Sequence, residues 1–373
     1  MSTPTPLPRP DADVIVIGGG PVGVSAAIHA AMGGLDACVL EPKRGPIDKA
    51  CGEGLMPGAL AGLQRIGVDP AGADMRGISY ADGTHYVSAD FTEGLGRGVR
   101  RTELHRCLRA RAETLGVRFV EASMRGLTQD DHGVTLTLGS SGPSLRSRYA
   151  VGADGLHSRT RRLLGLERGT SSRRRPPLGL LHRSGVSERS RRFGYRQHFH
   201  LAPWTDRVEV HWGRHAEVYV TPVAHDTIGV AVLTTAAGSF ADHLAVFPDL
   251  MDRLSGADHA SDLRGSGPLR QQVTSRAQGR VLLVGDAGGY VDALTGEGLA
   301  VGLAQARVAV EALRDGDPDR YPGLARRVSW RSTALTSSLL YATRSAPLRA
   351  AVVPAAARLP WAFQWAVGEL AST

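Results

Sequence analysis

Cysteine is scarce in this sequence, and long apolar runs are missing. Among 373 residues the cysteines are Cys38, Cys51 and Cys107, too few and too far apart for a disulfide framework or a zinc site. No stretch reaches the roughly 18 uninterrupted apolar residues that a membrane-spanning helix requires. Residues 1–10 are polar and rich in proline, unlike a secretory signal. We therefore expect a cytoplasmic protein without a bound metal and without a transmembrane segment.

Lysine is also nearly absent, although the formal net charge is +8. Only Lys43 and Lys49 are lysines among the 44 basic residues, and the arginines are densest between Arg159 and Arg192. Such a stretch attracts polyanions, but it lacks the interleaved aromatic residues of a nucleic-acid surface. We expect either a solvated surface or a basic rim that steers an anionic cofactor, and no nucleic acid as a partner.

The N-terminal region has a glycine-rich turn between a strand pattern and a helix pattern. The apolar run 13–17, DVIVI, is typical of a buried parallel strand. Gly18, Gly20 and Gly23 follow in a GxGxxG arrangement, and a helix pattern continues to Met32. In dinucleotide-binding folds the first glycine permits a tight turn and the second lets the backbone approach a pyrophosphate. The third lets the helix pack closely on the strand.

A second strand pattern, residues 37–40, ends at Glu41, which lies 23 residues after Gly18. An acid about 20 residues beyond the glycines accepts hydrogen bonds from ribose hydroxyls in this kind of site. The order of strand, glycines, helix, strand and acid therefore predicts dinucleotide binding. These residues leave open whether the ligand is NAD(P) or FAD.

Two later segments favour FAD. The segment 151–162, VGADGLHSRTRR, contains a DGxxSxxR pattern formed by Asp154, Gly155, Ser158 and Arg161. With this pattern the chain resembles flavoprotein monooxygenases of the para-hydroxybenzoate hydroxylase family. Gly285 and Asp286, in RVLLVGDAGG, match the second FAD segment of that family. The resemblance implies that Asp286 holds the ribityl chain of FAD and that Arg101 lies near the FAD phosphates.

The pattern around Asp286 supports the same site on physical grounds. The apolar run 281–284 is typical of a buried strand, and its end delivers Asp286 to the carboxyl edge of a parallel sheet, where ligands bind. A helix pattern runs from Gly296 to about Leu313, so Gly296 and Gly298 lie at a helix N-terminus that favours negative charge. Because the chain has one GxGxxG motif, NAD(P)H is expected as a transient co-substrate.

We expect an α/β fold with three parts. A Rossmann-like FAD-binding domain with a parallel sheet is interleaved with a mostly antiparallel substrate domain, and a helical C-terminal part follows. The predicted boundaries are 11–45, 99–165 and 276–315 for the FAD-binding domain, 46–98 and 166–275 for the substrate domain, and 316–373 for the C-terminal part.

Within the substrate domain the strand pattern VEVHW, residues 208–212, alternates in polarity. Val208, Val210 and Trp212 share one face, and Glu209 and His211 share the other. We expect the apolar face to be core; the alternative is a wall of the substrate pocket. His211 is kept as a candidate for a residue near the flavin.

A second resemblance competes with the first. KACGEG at 49–54 and ALTGEG at 293–298 are similar to segments of geranylgeranyl reductases, which saturate prenyl chains on the same FAD scaffold. By this analogy Cys51 and Glu53 lie near the flavin. The reductase motif YxWxFP is replaced by EVYVTP at 217–222, and the GDAAH and following proline of the hydroxylases are replaced by Gly289 and Ala293. Neither resemblance is therefore complete.

The sequence alone favours an FAD-dependent monooxygenase that uses NAD(P)H and oxygen on a lipophilic, aromatic or polyketide-like small molecule. The alternative is an FAD-dependent reductase of carbon–carbon double bonds, and a non-enzymatic basic binding protein ranks third. Residues 346–370 mix apolar and aromatic side chains with prolines. Broken helices there are expected to cap the sheet, to line an apolar channel or to touch a membrane surface peripherally.

Overall fold

The computed structural model describes residues 10–139, 142–168, 192–343 and 346–371. Most of the arginine-rich stretch predicted between residues 159 and 192 lies outside the described residues, as does the adjoining part of the predicted substrate domain. The strands are β1 (Ala12–Ile17), β2 (Ala37–Leu40), β3 (Gly54–Leu55), β4 (Ala73–Met75), β5 (Gly77–Ala81), β6 (Tyr86–Asp90), β7 (Gly96–Gly98), β8 (Arg118–Val120), β9 (Met124–Gln129), β10 (Val134–Leu138), β11 (Ser144–Gly152), β12 (Phe193–His200), β13 (Arg207–Trp212), β14 (Ala216–Ala224), β15 (Thr227–Thr234), β16 (Arg264–Ser266), β17 (Ala277–Gln278) and β18 (Val281–Leu283).

The helices lie on both sheets and in the C-terminal part. They are α1 (Pro21–Met32), α2 (Pro57–Arg65), α3 (Arg101–Thr114), α4 (Arg159–Leu163), α5 (Phe240–Leu244), α6 (Pro248–Leu254), α7 (Gly298–Arg314), α8 (Tyr321–Ala342), α9 (Ala346–Ala350), α10 (Val352–Arg358) and α11 (Pro360–Ala371). None of the helices in the described ranges is long and apolar enough to cross a membrane.

An eight-stranded sheet, the parallel sheet, forms the first layer. Its five central strands run parallel in the order β18-β11-β1-β2-β8, and β9, β10 and β17 add antiparallel pairs. Val14, Ile15 and Val16 are fully buried because helices cover one face of the sheet and the β9–β10 hairpin lies against the other. The parallel pairing brings the carboxyl ends of β1, β2, β11 and β18 to one edge.

Helices α1 and α7 pack against each other on this sheet. Burial and the nearby Arg307 guanidinium lower the pKa of His29, in the last turn of α1, from its ordinary 6.5 to about 4. The folded state therefore holds His29 neutral, and its contribution to stability is complete above pH 6.5 and lost as the pH falls towards 4.

We predict that the unfolding free energy falls between pH 7 and pH 4 in both proteins, but by about 3 kcal/mol less in the His29→Leu variant than in the wild type. Urea unfolding at the two pH values measures this difference. The control is His225→Leu, since the side chain of His225 is 93% exposed and its removal should leave the pH dependence unchanged. Equal pH dependence in the wild type and the His29 variant would show that this histidine titrates normally in the fold.

A seven-stranded sheet, the antiparallel sheet, forms the second layer, in the order β16-β12-β15-β14-β13-β5-β6. Within the described residues its pairs are antiparallel except for β13 with β5. One face packs against α5 and α6. The other face carries Val208, Val210 and Trp212 and packs with residues of α10 and α11. The expected α/β class, with a parallel sheet, a mostly antiparallel sheet and C-terminal helices, is confirmed.

Three short strands form a small third sheet in the order β3-β7-β4. Strand β14 and the segment of β7 lie so close that a Cβ on Gly98 would stand 1.6 Å from the Pro222 carbonyl oxygen. The antiparallel sheet takes strands from both the 46–98 and the 192–275 parts of the chain, as the predicted interleaving requires. The domain boundaries themselves stay a prediction.

Candidate active site

A cavity of about 990 Å³ lies between the carboxyl edge of the parallel sheet and the apolar face of the antiparallel sheet. Twelve of the fourteen residues predicted for the site line it: Gly18, Gly20, Glu41, Cys51, Glu53, Arg101, Asp154, Gly155, Gly285, Asp286, Gly296 and Gly298. Gly23 and His211 are the exceptions. Segments that are far apart in the chain thus meet at one edge because parallel strands end there.

The three glycines of the first turn have different surroundings. Gly18 has a φ of +108°, and a Cβ there would lie 2.6 Å from the Ala153 carbonyl oxygen. A Cβ on Gly23 would lie 2.0 Å from the Gly18 oxygen, so this glycine allows α1 to approach β1. A Cβ on Gly20 would meet no atom within 4 Å. The backbone at Gly20 is therefore open towards the cavity, as close approach of a ligand requires.

Glu41 stands at the end of β2 and is held by backbone amides. One carboxylate oxygen accepts a hydrogen bond from the Gly19 amide at 2.8 Å, and the other accepts from the Lys43 amide at 3.0 Å. A carboxylate has about four acceptor positions, so room remains for a ribose hydroxyl. The Gly19 carbonyl oxygen lies 2.9 Å from Nε2 of the buried His105, a support for the turn that the sequence pattern did not reveal.

The carboxylate of Asp154 is used within its own motif. It accepts hydrogen bonds from the Ser158 hydroxyl at 2.5 Å and from the Thr160 amide and hydroxyl at 2.9 and 3.0 Å. Ser158 in turn caps α4 by accepting from the Arg161 amide at 2.9 Å. Asp154 therefore shapes the turn beside the cavity. Gly155, at φ +76°, leaves the turn open, because a Cβ there would meet no described atom within 4 Å.

Arg161 connects this motif to the second one. Its side chain is 1% exposed, and one terminal nitrogen donates to the Asp286 and Ala287 carbonyl oxygens at 3.3 and 3.2 Å. The other donates to the Leu156 carbonyl oxygen at 2.7 Å and the Gln271 side-chain oxygen at 3.2 Å. The arginine of DGxxSxxR thus fixes the backbone that presents Asp286 to the cavity.

The Asp286 carboxylate forms an ion pair with Lys49, whose Nζ lies 2.9 Å away. Both Lys49 and Lys43 line the cavity, so the two lysines of the chain meet at one site. No sequence pattern indicated a cofactor-binding role for either lysine. Lys49 belongs to the loop that also carries Cys51, and the ion pair therefore joins this loop to the end of β18.

Glu53 has a φ of 61°, an uncommon backbone conformation for a residue other than glycine. Its carboxylate accepts from the Arg101 amide at 2.8 Å and lies 2.5 Å from Nε2 of the buried His198. The other ring nitrogen of His198 lies 2.9 Å from the Ser261 hydroxyl and 3.0 Å from the buried Arg196 guanidinium. The Glu53 carboxylate therefore belongs to a buried hydrogen-bond network with His198, Arg196 and Ser261. This network anchors the loop at the cavity wall.

Cys51 and His211 are the other two candidates for catalysis. Cys51 lines the cavity, and its sulfur lies 3.4 Å from the Glu53 amide nitrogen, which donates to it. His211 is not among the lining residues; it faces Glu209 at 3.4 Å and the Phe247 ring. On the same strand Val208 and Val210 line the cavity. The alternating strand therefore presents its apolar face to the cavity as well as to the core, and its histidine to the opposite side.

The residues at the cavity fit a dinucleotide. The Arg101 Nε atom is buried and has no hydrogen-bond partner among the described residues, although the residue lines the cavity. A phosphate group would supply that partner. Gly20 leaves the turn open, and α1 begins at Pro21, so its free amides face the same place. The apolar far end of the cavity would take a flavin or a substrate.

The fold and the cavity together define a dinucleotide-binding flavoprotein. More particularly, the chain belongs to the family described as FAD binding domain, which matches residues 11–218. The cofactor is therefore FAD, as expected, and the protein is an FAD-dependent oxidoreductase.

Relatives with assigned activities agree with this class. Menaquinone reductase of Mycobacterium tuberculosis (strain H37Rv) is 30% identical over 337 residues, which cover 84% of this chain and 79% of that protein. Digeranylgeranylglycerophospholipid reductase 1 of Methanothermobacter thermautotrophicus is 26% identical over 82% of this chain and 79% of that protein. A 3-(3-hydroxy-phenyl)propionate/3-hydroxycinnamic acid hydroxylase of Mycobacterium sp. (strain JLS) is 31% identical over 46% of this chain and 33% of that protein.

Among solved structures, a flavoprotein/dehydrogenase from Cytophaga hutchinsonii superposes with a TM-score of 0.78. Its sequence is 16% identical, and the superposition covers 96% of this chain and 92% of that one. At this identity the likeness shows the shared fold. Both resemblances stated from the sequence, to the hydroxylases and to the geranylgeranyl reductases, are confirmed at the level of the family.

We predict that Asp286→Ala weakens FAD binding about tenfold, because it removes a charged acceptor from the cavity, and leaves the fold intact. Titration of the apoprotein with FAD measures the change, and circular dichroism checks the fold. The control is Asp206→Ala. The exposed Asp206 carboxylate lies 3.0 Å from the Arg76 guanidinium and does not line the cavity. A variant that purifies with full flavin would show that Asp286 does not contact the cofactor.

Proposed function

We propose that this FAD-dependent oxidoreductase reduces a carbon–carbon double bond in a lipophilic, isoprenoid-bearing substrate. The observation that carries the proposal is the continuity of the cavity from the dinucleotide motifs to an apolar end. Val208, Val210, Ala231, Leu233 and Leu269 line that end, and such a wall favours an apolar chain.

The full-length relatives support reduction over oxygen transfer. The reductases align with more than four-fifths of this chain, whereas the hydroxylase aligns with less than half of it. The KACGEG and ALTGEG segments also resemble segments of the geranylgeranyl reductases. The replacement of YxWxFP by EVYVTP at 217–222 indicates that the substrate differs from that of the geranylgeranyl reductases at the point where Tyr219 lines the cavity.

The cofactor contacts that we assign follow the cavity wall. The open backbone at Gly20 and the N-terminus of α1 take the pyrophosphate, Glu41 accepts from the adenosine ribose, and Arg101 pairs with a phosphate. Asp286 accepts from the ribityl hydroxyls, and the backbone between Gly296 and Gly298 lies beside the flavin ring. These roles require each group to reach the cavity, which the observed lining supports.

FAD held by Gly20, Arg101 and Asp286 and reduced by NAD(P)H would supply the hydride for one carbon of the double bond. The second carbon needs a proton, and we assign its delivery to the Cys51 thiol, which then regains a proton from solvent. Tyr80, Tyr219 and Tyr290 also line the cavity. Burial raises the pKa of each of these phenols, so they stay neutral and hold the substrate by contact. The Tyr219 hydroxyl donates a hydrogen bond to the Leu294 carbonyl oxygen at 2.7 Å.

The experiment is an anaerobic assay of the FAD-loaded protein with NADH or NADPH and two substrates, a menaquinone and a geranylgeranyl lipid. The expected product, after any quinol has been reoxidised in air, is heavier than its substrate by two hydrogen atoms, both on the isoprenoid chain. Cys51→Ala should lower kcat by about 100-fold, the low end for loss of a positioned acid, while Cys107→Ala on α3 should leave it unchanged. A Cys51 variant with wild-type kcat would remove the thiol from the mechanism.

Oxygen transfer, the reaction that the sequence alone favours, is the second candidate. The 31% identity to a hydroxylase across 188 residues and the complete DGxxSxxR motif favour it. It predicts a product that contains one added oxygen atom and forms only in air. Such a product from a lipophilic phenol, together with no anaerobic turnover of any isoprenoid, would overturn the reductase proposal.

A further inference from the structure

Three of the five tryptophans of the chain lie on the surface of the C-terminal part. Trp330 on α8 is 57% exposed, and Trp361 and Trp365 on α11 are 73% and 60% exposed. Large aromatic side chains are usually buried or covered by a partner. These three, called the tryptophan patch below, therefore need an explanation.

The patch spans two helices that are joined by an ion pair. Trp361, Trp365 and Glu369 are spaced by four residues and so share one face of α11. Glu369 lies 3.4 Å from the Arg331 guanidinium on α8, next in the chain to Trp330. The ion pair thus holds the part of α8 that carries Trp330 against the C-terminal end of the same face of α11.

The opposite face of α11 belongs to the interior. Phe363, Val367 and Leu370 on that face are buried, and Leu370 lines the cavity. One helix therefore has the cavity on its inner side and the tryptophan patch on its outer side. A surface that contacts the patch is therefore separated from the cavity by the width of one helix, α11.

The charge around the patch is mainly positive. Residues 321–371 contain one acidic residue, Glu369, and six arginines, of which Arg326, Arg327, Arg331 and Arg358 are exposed and Arg349 is paired with the buried Glu217. Among them the Arg331 side chain is 58% exposed, and Arg358 is exposed just before α11. A second copy of this chain would bring the same positive surface against itself if the contact were symmetric, which is unfavourable. An anionic surface is the complementary partner.

We propose that the tryptophan patch docks the protein on an anionic lipid bilayer. The tryptophan rings lie at the level of the lipid headgroups, which their apolar bodies and polar N–H groups favour. The arginines pair with lipid phosphates, and α11 lies in the interface plane. The binding is peripheral and does not depend on the reaction that the cavity performs.

The test uses the FAD-loaded full chain in flotation assays with vesicles of phosphatidylcholine, with and without one quarter phosphatidylglycerol. The wild type should float with the anionic vesicles. The W361S/W365S variant should bind about tenfold more weakly, because two apolar anchors are lost, and Arg358→Glu should weaken binding about fivefold on anionic vesicles alone. The matched control, V246S/M251S, removes exposed apolar side chains near α6, on the other side of the antiparallel sheet, and should bind like the wild type.

Brominated lipids give a second readout, since they quench tryptophans that reach the bilayer. Quenching should be strong in the wild type and weak in W361S/W365S, and flavin content and circular dichroism should be equal in both. A wild type that stays unbound, or a double variant that floats equally well, would overturn the proposal. A dimer that forms without vesicles and disappears in the double variant would assign the patch to a second copy and would overturn it too.

Discussion

Replacing Arg161 with methionine is expected to lower the unfolding free energy by about 3–5 kcal/mol and to abolish FAD retention during purification. The guanidinium is buried and bridges the turn at Leu156 to the carbonyl oxygens of Asp286 and Ala287. Methionine fills a similar volume but donates no hydrogen bond, so these buried oxygens lose their partners. The strand end that presents Asp286 would then no longer be held.

The arginine that directly follows the motif offers a matched control. Arg162 is exposed, and within the described part of the chain its guanidinium donates to the His157 carbonyl oxygen at 3.3 Å. Arg162→Met should therefore change the unfolding free energy by less than about 0.5 kcal/mol and keep full flavin. Guanidinium chloride unfolding and the ratio of absorbance at 450 nm to protein give the two readouts. Equal behaviour of the two variants would contradict the bridging role of Arg161.

The parallel sheet was predictable because its signals are local. The run DVIVI, the glycine turn and the helix that follows need only neighbouring residues to be recognised, and β1, α1 and β2 match these patterns within one residue at their ends. The predicted helix from Gly296 begins at Gly298, because Gly296 takes a φ of +72°, and Glu297 occupies the N-cap position.

Part of the site was predictable for the same reason. Glycines and acids that directly follow buried strands must meet at one sheet edge, and Gly18, Glu41, Asp154 and Asp286 all do. The Lys49–Asp286 pair and the Glu53–His198 contact join segments far apart in the chain. No local pattern reports such pairs, since they depend on how the two sheets pack.

The choice between histidines shows the same limit. His211 and His198 both stand on strands of the antiparallel sheet, and the sequence alone favoured His211. Alternation fixes which residues share a face, but the packing of the sheet decides which face meets the cavity. The structure places His198 against Glu53 and turns His211 away.

A buried charge cluster carries the last prediction. Glu217 on β14 is fully buried, and its two oxygens pair with the Arg192 and Arg349 guanidinium groups. Arg192 also lies 3.5 Å from the Asp292 carboxylate in the loop before α7. The cluster thus ties three parts of the molecule together: the antiparallel sheet, the loop beside the proposed flavin ring, and α9 of the C-terminal part.

Glu217→Gln is expected to lower the unfolding free energy by about 3–5 kcal/mol, because it leaves two buried guanidinium groups without their shared counter-charge. Burial raises the pKa of Glu217, and the two arginines oppose that rise. The control is Glu121→Gln, which breaks the exposed ion pair with Arg44 and should cost at most about 1 kcal/mol. Urea unfolding compares the two, and equal losses would show that the buried cluster is no more important than a surface pair.

The triple variant R192M/E217L/R349M separates charge from packing. If the cluster serves mainly to orient α9 and the loop, this variant should recover stability to within about 2 kcal/mol of the wild type and still bind FAD more weakly than the wild type does.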